Sequence, residues 1–148
     1  MSELTHNQAE VLATLPTPWQ TSLLADIHKQ VAADGRKIVV LDDDPTGTQT
    51  VYDLPVLTRW DVPTLSEELQ AANPACYILT NSRSLNEAQV SALLTELTRN
   101  LTEARQQTGR PVTVISRSDS TLRGHFPLET DFLSEHVGRP DGVLLVPY

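Results

Sequence analysis

Three aspartates, Asp42, Asp43 and Asp44, stand in a row at the end of the apolar run Ile38-Val39-Val40-Leu41 and lead into Pro45-Thr46-Gly47-Thr48. Adjacent carboxylates repel one another, so the group needs a partner: a metal, a basic side chain, or a polyol that donates hydrogen bonds. The plain alternative is an acidic turn with aspartate at its favoured positions. Two further polar stretches are Asn81-Ser82-Arg83 and Arg117-Ser118-Asp119-Ser120-Thr121-Leu122-Arg123-Gly124. Together the three supply acids (Asp42, Asp43, Asp44, Asp119), guanidinium groups (Arg83, Arg117, Arg123) and hydroxyls (Thr46, Ser82, Ser120, Thr121). Arginine forks match an anionic group and carboxylates accept from hydroxyls, so the mixture suits a ligand with one anionic end and several hydroxyls. A small sugar acid has that pattern.

These residues have to be brought to one place, and the patterns between them say how. Lys37 to Leu41 is the short Val/Ile/Leu run of a buried parallel strand, and open α/β sheets bind ligands just past the carboxyl ends of their strands. Cys76 to Thr80 predicts a strand leading into Asn81, and Val112 to Ser116 one leading into Arg117. In a parallel sheet all three polar stretches leave the same edge. Val90, Leu93, Leu94, Leu97, Leu101 and Ala104 trace one face of a long helix that Gly109 and Pro111 break. Leu23, Leu24, Ile27 and Val31 predict an amphipathic helix ending at Gly35, preceded by a shorter segment from Ala9 to Leu15 that Pro16 and Pro18 stop.

Thr64-x-x-Glu67 and Ser84-x-x-Glu87 read as capping boxes that open helices. Val51 to Thr58 is a further extended piece, which Pro55 pushes to an edge. Pro127 suits the first turn of a helix carrying Leu128, Phe132, Leu133 and Val137, with Gly138 closing it. Gly142 to Tyr148 predicts a last buried strand. Strands alternating with helices imply a doubly wound α/β fold, a mostly parallel sheet with helices on both faces. Because the pattern stops in a strand without a covering helix, the sequence reads as a piece of a longer protein. Residues 1–36 form an N-terminal helical extension and residues 37–148 a partial, sugar-acid-binding α/β domain.

The chain has 148 residues, enough for one domain with a core, and a net charge of -8. Nucleic acid is an unsuited partner, because neutralising phosphates needs a concentrated basic face. Lys29 and Lys37 are the only lysines, so the later cationic positions are all arginine. The single cysteine, Cys76, lies in an apolar run and reads as a core residue; it allows no disulfide framework within the chain. His6, His28 and His136 have no metal-ligand spacing, and Trp19, Trp60, Phe126 and Phe132 read as packing anchors. With neither a signal-peptide pattern nor a long apolar stretch, the expected location is the cytoplasm, away from membranes.

The blocks Asp43-Asp44-Pro45-Thr46-Gly47, Asn81-Ser82-Arg83 and Asp119-Ser120-Thr121-Leu122-Arg123-Gly124 occur in the order typical of the four-carbon acid sugar kinases, and from about Lys37 onward the chain resembles that family. The resemblance implies a two-domain enzyme: an N-terminal α/β domain that binds a tetronate such as threonate or erythronate, and a C-terminal domain, absent here, that binds ATP and Mg²⁺. It implies a proton-accepting or hydroxyl-orienting role for Asp43 or Asp44. It further implies that Arg83 and Arg123 hold the substrate carboxylate while Thr46, Ser82, Arg117, Asp119 and Ser120 line the substrate site. The sequence departs from the family at Thr48, where alanine is usual, at Arg117, where lysine is, and at His125, where asparagine is; these changes, with the extra acid Asp42, bear on which acid sugar is bound.

Leu41-Asp42-Asp43-Asp44-Pro45-Thr46 also resembles the nucleophile loop of haloacid-dehalogenase-type phosphatases, and Ile78-Leu79-Thr80-Asn81 their second motif. That likeness implies Asp42 as nucleophile, Asp44 as general acid and a bridging Mg²⁺. It lacks the downstream lysine of that chemistry and leaves Asp119 to Gly124 without a role. A third reading is a fragment that binds an acid sugar without catalysis, since neither a Gly-x-Gly-x-x-Gly fingerprint nor a phosphate loop occurs.

Overall fold

A computed structural model describes residues 7–17, 20–49, 51–118, 123–138 and 140–146. Its elements are α1 (Gln8–Ala13), α2 (Leu24–Asp34), β1 (Lys37–Asp42), β2 (Val56–Leu57), α3 (Val62–Gln70), β3 (Ala75–Leu79), α4 (Glu87–Thr108), β4 (Val112–Arg117) and α5 (Leu128–His136). The four strands form one sheet in the order β2-β3-β1-β4, every pair parallel. This is an α/β fold. The chain steps from β1 across β3 to β2, then returns through β3 to β4, so the direction of winding reverses around β1. Such a reversal opens a crevice at the carboxyl edge of an α/β sheet.

One face of the sheet carries the core. Lys37, Val39 and Leu41 of β1 stand in register with Val112 and Val114 of β4 and with Cys76 and Ile78 of β3, all on the same side. Against them pack Leu65 and Leu69 of α3, Val90, Leu94, Leu97, Leu101 and Ala104 of α4, and Leu133 of α5. That α3 and α4 share this face follows from the path: β2 to β3 and β3 to β4 move the same way across the sheet, and right-handed crossovers moving the same way lie on the same side. The opposite face, with Thr113 and Ile115 exposed on β4, has no such layer among the described residues. α2 forms where predicted and ends at Gly35, whose φ of 63° is the left-handed C-terminal turn that glycine accommodates. Its apolar positions Leu24, Ile27 and Val31 are exposed.

Several boundaries move from their predicted places, each for a local reason. α3 starts three residues before Leu65 because Asp61, not Thr64, is its N-cap: the Asp61 carboxylate accepts from both the backbone N–H and the hydroxyl of Thr64, and Pro63 sits comfortably in the first turn. α4 opens on Asn86, whose side chain forms a reciprocal capping box with Gln89, because Ser82 to Ser84 is already used in a 3₁₀ turn. Of the extended piece Val51 to Thr58 only Val56 and Leu57 pair as strand. The expected final strand is not formed over residues 142–146: Val143, Leu144, Leu145 and Val146 are exposed beside the outer edge of β4, and Pro147 and Tyr148 lie outside the described residues.

A lysine faces the core. Lys37 is fully buried, with its ammonium 2.5 Å from Glu68 Oε1. Glu68 shares the inward stripe of α3 with Leu65 and Leu69, which carries its carboxylate over the start of β1. Among the described residues the ammonium has no acceptor beyond that ion pair. Cys76 is buried as expected, and burial, aided by the Glu68 charge, pushes its thiol up to about 11.

Candidate functional site

The carboxyl edges of β1, β3 and β4 bring the acidic run, the Asn81–Arg83 turn and Arg117 together. Register explains the first contact: Asp42 pairs with Arg117 across β1 and β4, so both side chains leave the sheet on one side, and Arg117 Nη1 stands 3.2 Å from Asp42 Oδ1. The same nitrogen is 3.9 Å from Asp43 Oδ1. From the other side, Arg83 Nη1 lies 2.6 Å from Asp44 Oδ2. Arg83 gets there because Asn81 adopts φ 51°, a left-handed conformation that asparagine tolerates better than most residues, and the chain turns sharply after β3.

The three carboxylates differ in what holds them. Asp44 accepts from the backbone N–H and hydroxyl of Thr46 as well as from Arg83, and the Thr46 hydroxyl, foremost among these, holds its carboxyl below the usual range. Asp43 Oδ2 accepts from the Ser118 hydroxyl at 3.0 Å. Asp42 is fully buried; Oδ1 accepts from the Asp44 backbone N–H and from Arg117, while Oδ2 has no partner among the described residues. Burial pushes the Asp42 carboxyl up, outweighing the hydrogen bond from Asp44 and the Arg117 charge. Gly47 lies directly on this carboxylate: a Cβ there would come within 2.6 Å of Asp42 Cγ and closer still to both oxygens.

The opposed shifts give a pH prediction. The folded Asp44 ionises more readily than the unfolded one, so its contribution is present above the ordinary carboxylate value of 3.8 and is lost as pH falls through its lower folded value. Asp42 runs the other way, costing stability once pH rises through its raised folded value. Asp42→Asn should therefore unfold at a higher urea midpoint than the parent at pH 7, and the gap should close below about pH 3.8. Equal midpoints at pH 7 would show that Asp42 is not held at a cost.

Ser82 is fully buried and its hydroxyl donates to Glu129 Oε1 at 2.5 Å, which places it beneath the edge rather than on its surface. Thr46 and Arg123 are exposed, and Arg117 and Arg83 are part-buried. Asp119 and Ser120 lie outside the described residues, as does most of the stretch that carries them. His125 sits beside the site with Nε2 donating to the Ser82 carbonyl at 3.1 Å. A phosphatase role for Asp42 gains no support from this geometry, since its carboxylate is closed over by Gly47 and has no face open to phosphorus. A cavity of about 550 Å³ lies elsewhere, between β4 and residues 138–144, and none of the predicted site residues lines it.

The family defined as the sugar-binding N-terminal domain matches residues 38–148, from the second residue of β1 onward. The chain belongs to this family, the N-terminal domain of the four-carbon acid sugar kinases. Among curated proteins and solved structures, none matches the chain. For a sugar-binding N-terminal domain the chemistry of the β1, β3 and β4 edge is apt: carboxylates and guanidinium groups are the side chains that grip a polyol with an anionic end. Among the described residues no group of three histidine, cysteine, aspartate or glutamate side chains is placed to hold a metal ion. No helix of the described residues is long and apolar enough to cross a membrane.

Two members of the site were not foreseen. Glu129 looked like an ordinary polar position of α5, and Thr80 like the end of a strand; nothing in their spacing marks either. The signal available for Glu129 was its place in the first turn of a helix, one element after a serine-rich loop.

Proposed function

We propose that this chain is the substrate-binding part of an ATP-dependent kinase that phosphorylates a four-carbon acid sugar of the threonate or erythronate type. The observation that carries the reading is the Ser118 hydroxyl on Asp43 Oδ2, a protein hydroxyl in the position a sugar hydroxyl would take. Asp44 is held by Thr46 and Arg83, and Asp43 already takes a hydroxyl from Ser118, so the incoming sugar hydroxyl is assigned to Asp43. A substrate carboxylate would take the place of Asp44 on one fork of Arg83, with Arg123 at the exposed rim adding a second guanidinium and Asp119 and Ser120 orienting the remaining hydroxyls. Asp43 then orients the acceptor hydroxyl and receives its proton, which general-base chemistry requires within hydrogen-bond reach. ATP with Mg²⁺, held by a C-terminal domain, supplies the phosphoryl group, and the protein works in the cytoplasm; this chain on its own should not phosphorylate a tetronate.

Calorimetric titration of threonate and erythronate into the chain tests the reading. At least one should bind, and Asp43→Asn should weaken it by tenfold or more, about 1.4 kcal/mol, with little change in thermal midpoint. In a protein carrying both domains the same substitution should abolish turnover. Binding of neither acid sugar would overturn the assignment; undiminished binding and turnover in Asp43→Asn would overturn the role of Asp43.

A further inference from the structure

We propose that Glu129 is a positioning residue of the sugar-binding edge: its carboxylate ties the ends of β3 and β4 to α5 and so fixes the turn that delivers Arg83. Glu129 meets a hydroxyl from each of the two strand ends. Glu129 Oε1 accepts from the Ser82 hydroxyl at 2.5 Å and Oε2 from the Ser116 hydroxyl at 3.3 Å. Beside them the carbonyl of Asp42 accepts from both the N–H and the hydroxyl of Thr80 at 2.9 Å each, and that hydroxyl oxygen lies 3.3 Å from Ser82 Oγ. His125, one turn before Glu129, donates to the Ser82 carbonyl, and its own carbonyl accepts from Glu129 N–H at 3.0 Å.

Glu129 is buried, and a buried carboxylate is kept only where its oxygens are satisfied. Both hydroxyls spend their donor protons on it, one from the residue next to Arg83 and one from the residue next to Arg117. Its place in the first turn of α5 favours the negative charge. The Glu129 carboxylate meets Ser82 and Ser116, not Asp43 or Asp44, so its effect on the site runs through those two serines. Sequence distance underlines the point, since Ser82 and Glu129 are 47 positions apart.

The consequence for a ligand rests on the acid-sugar reading above; the consequence for Arg83 does not. The test therefore has two arms. In the first, the Arg83 guanidinium resonance of ¹⁵N-labelled chain is followed without ligand. Glu129→Ala should move it toward the position of a solvated arginine, and Glu129→Gln, which can still accept from Ser82 and donate to Ser116, should leave it in place. If Glu129→Ala fails to fold, Ser82→Ala, which removes the same link with little loss of volume, should produce the same movement. In the second arm, titration with threonate and erythronate should show binding weakened at least tenfold in Glu129→Ala and restored to within about threefold in Glu129→Gln. The Glu129→Ala/Arg83→Ala double variant should bind no more weakly than Arg83→Ala alone, because both act on one contact. An unmoved Arg83 resonance in folded Glu129→Ala, or in Ser82→Ala, overturns the proposal. So do additive losses in the double variant. A parent chain that binds neither sugar while the Arg83 resonance moves would sink the ligand assignment and leave the positioning role intact.

Discussion

Lys37→Met should destabilise the fold by about 3 kcal/mol at neutral pH, although the substitution places an apolar side chain in an apolar layer. The cost lies in what is left behind. Glu68 is buried beside Leu65 and Leu69, and without the ammonium its charge has, among the described residues, only the Asn73 amide, 3.5 Å away. Lys37→Met/Glu68→Leu should recover most of the loss or exceed the parent, since removing both members of a buried pair trades two desolvated charges for packing. Urea denaturation with unchanged slope measures both variants. If the double variant is as unstable as the sum of the two single ones, the pair is not coupled and the account fails. The Cys76 thiol gives a second readout: burial and the Glu68 charge hold its pKa up at about 11, so a reagent that needs thiolate should react slowly with it in the folded chain.

Gly47→Ala should cost a comparable amount, about 1–3 kcal/mol or somewhat more, through overpacking. The requirement is one of space: the missing Cβ is where the Asp42 carboxylate sits. Asp42 cannot step aside without giving up Arg117 and the Asp44 N–H, so the loop must move and the Asp44–Arg83 pair with it. On the proposed reading, acid-sugar binding should fall along with stability. Removing the obstacle should rescue the change, so that Gly47→Ala costs far less in an Asp42→Ala background. A full-sized penalty in that background would mean that something other than Asp42 demands glycine there.

How much of this was legible in the sequence depended on how local the cause was. β1, β3, β4 and α4 could be read because a Val/Ile run and a helical apolar stripe are signals complete within their own segment. The same holds for the three polar loops, whose convergence needs only that the strands be parallel. Helix starts were displaced where two capping residues compete a few positions apart, as Asp61 does with Thr64 and Asn86 with Ser84. Lys37 and Glu129 were missed because a buried charge is decided by a partner distant in sequence, Glu68 for one and Ser82 for the other. Asp42 was set apart in the sequence only as an extra acid ahead of the family's pair, or as the nucleophile of a phosphatase loop. Only the register with Arg117 and the close approach of Gly47 separate it from Asp43 and Asp44. The residues 142–146 were read as strand from composition, and composition carries no information on whether a neighbouring edge is paired.

The hydrogen bonds of Thr80 to the Asp42 carbonyl and of Ser82 and Ser116 to Glu129 join segments far apart in the sequence. No short stretch of the polypeptide therefore contains a working recognition surface; it comes into being when the last of its contributors docks. Affinity and conformational stability are then two readings of one equilibrium. A ligand that favours the assembled state raises the free energy of unfolding by about 2.7 kcal/mol at a hundred times its dissociation constant. On the proposed acid-sugar reading, melting temperature becomes a way to search a panel of polyol acids, and the compound that delays unfolding most at equal concentration is the one expected to match this edge.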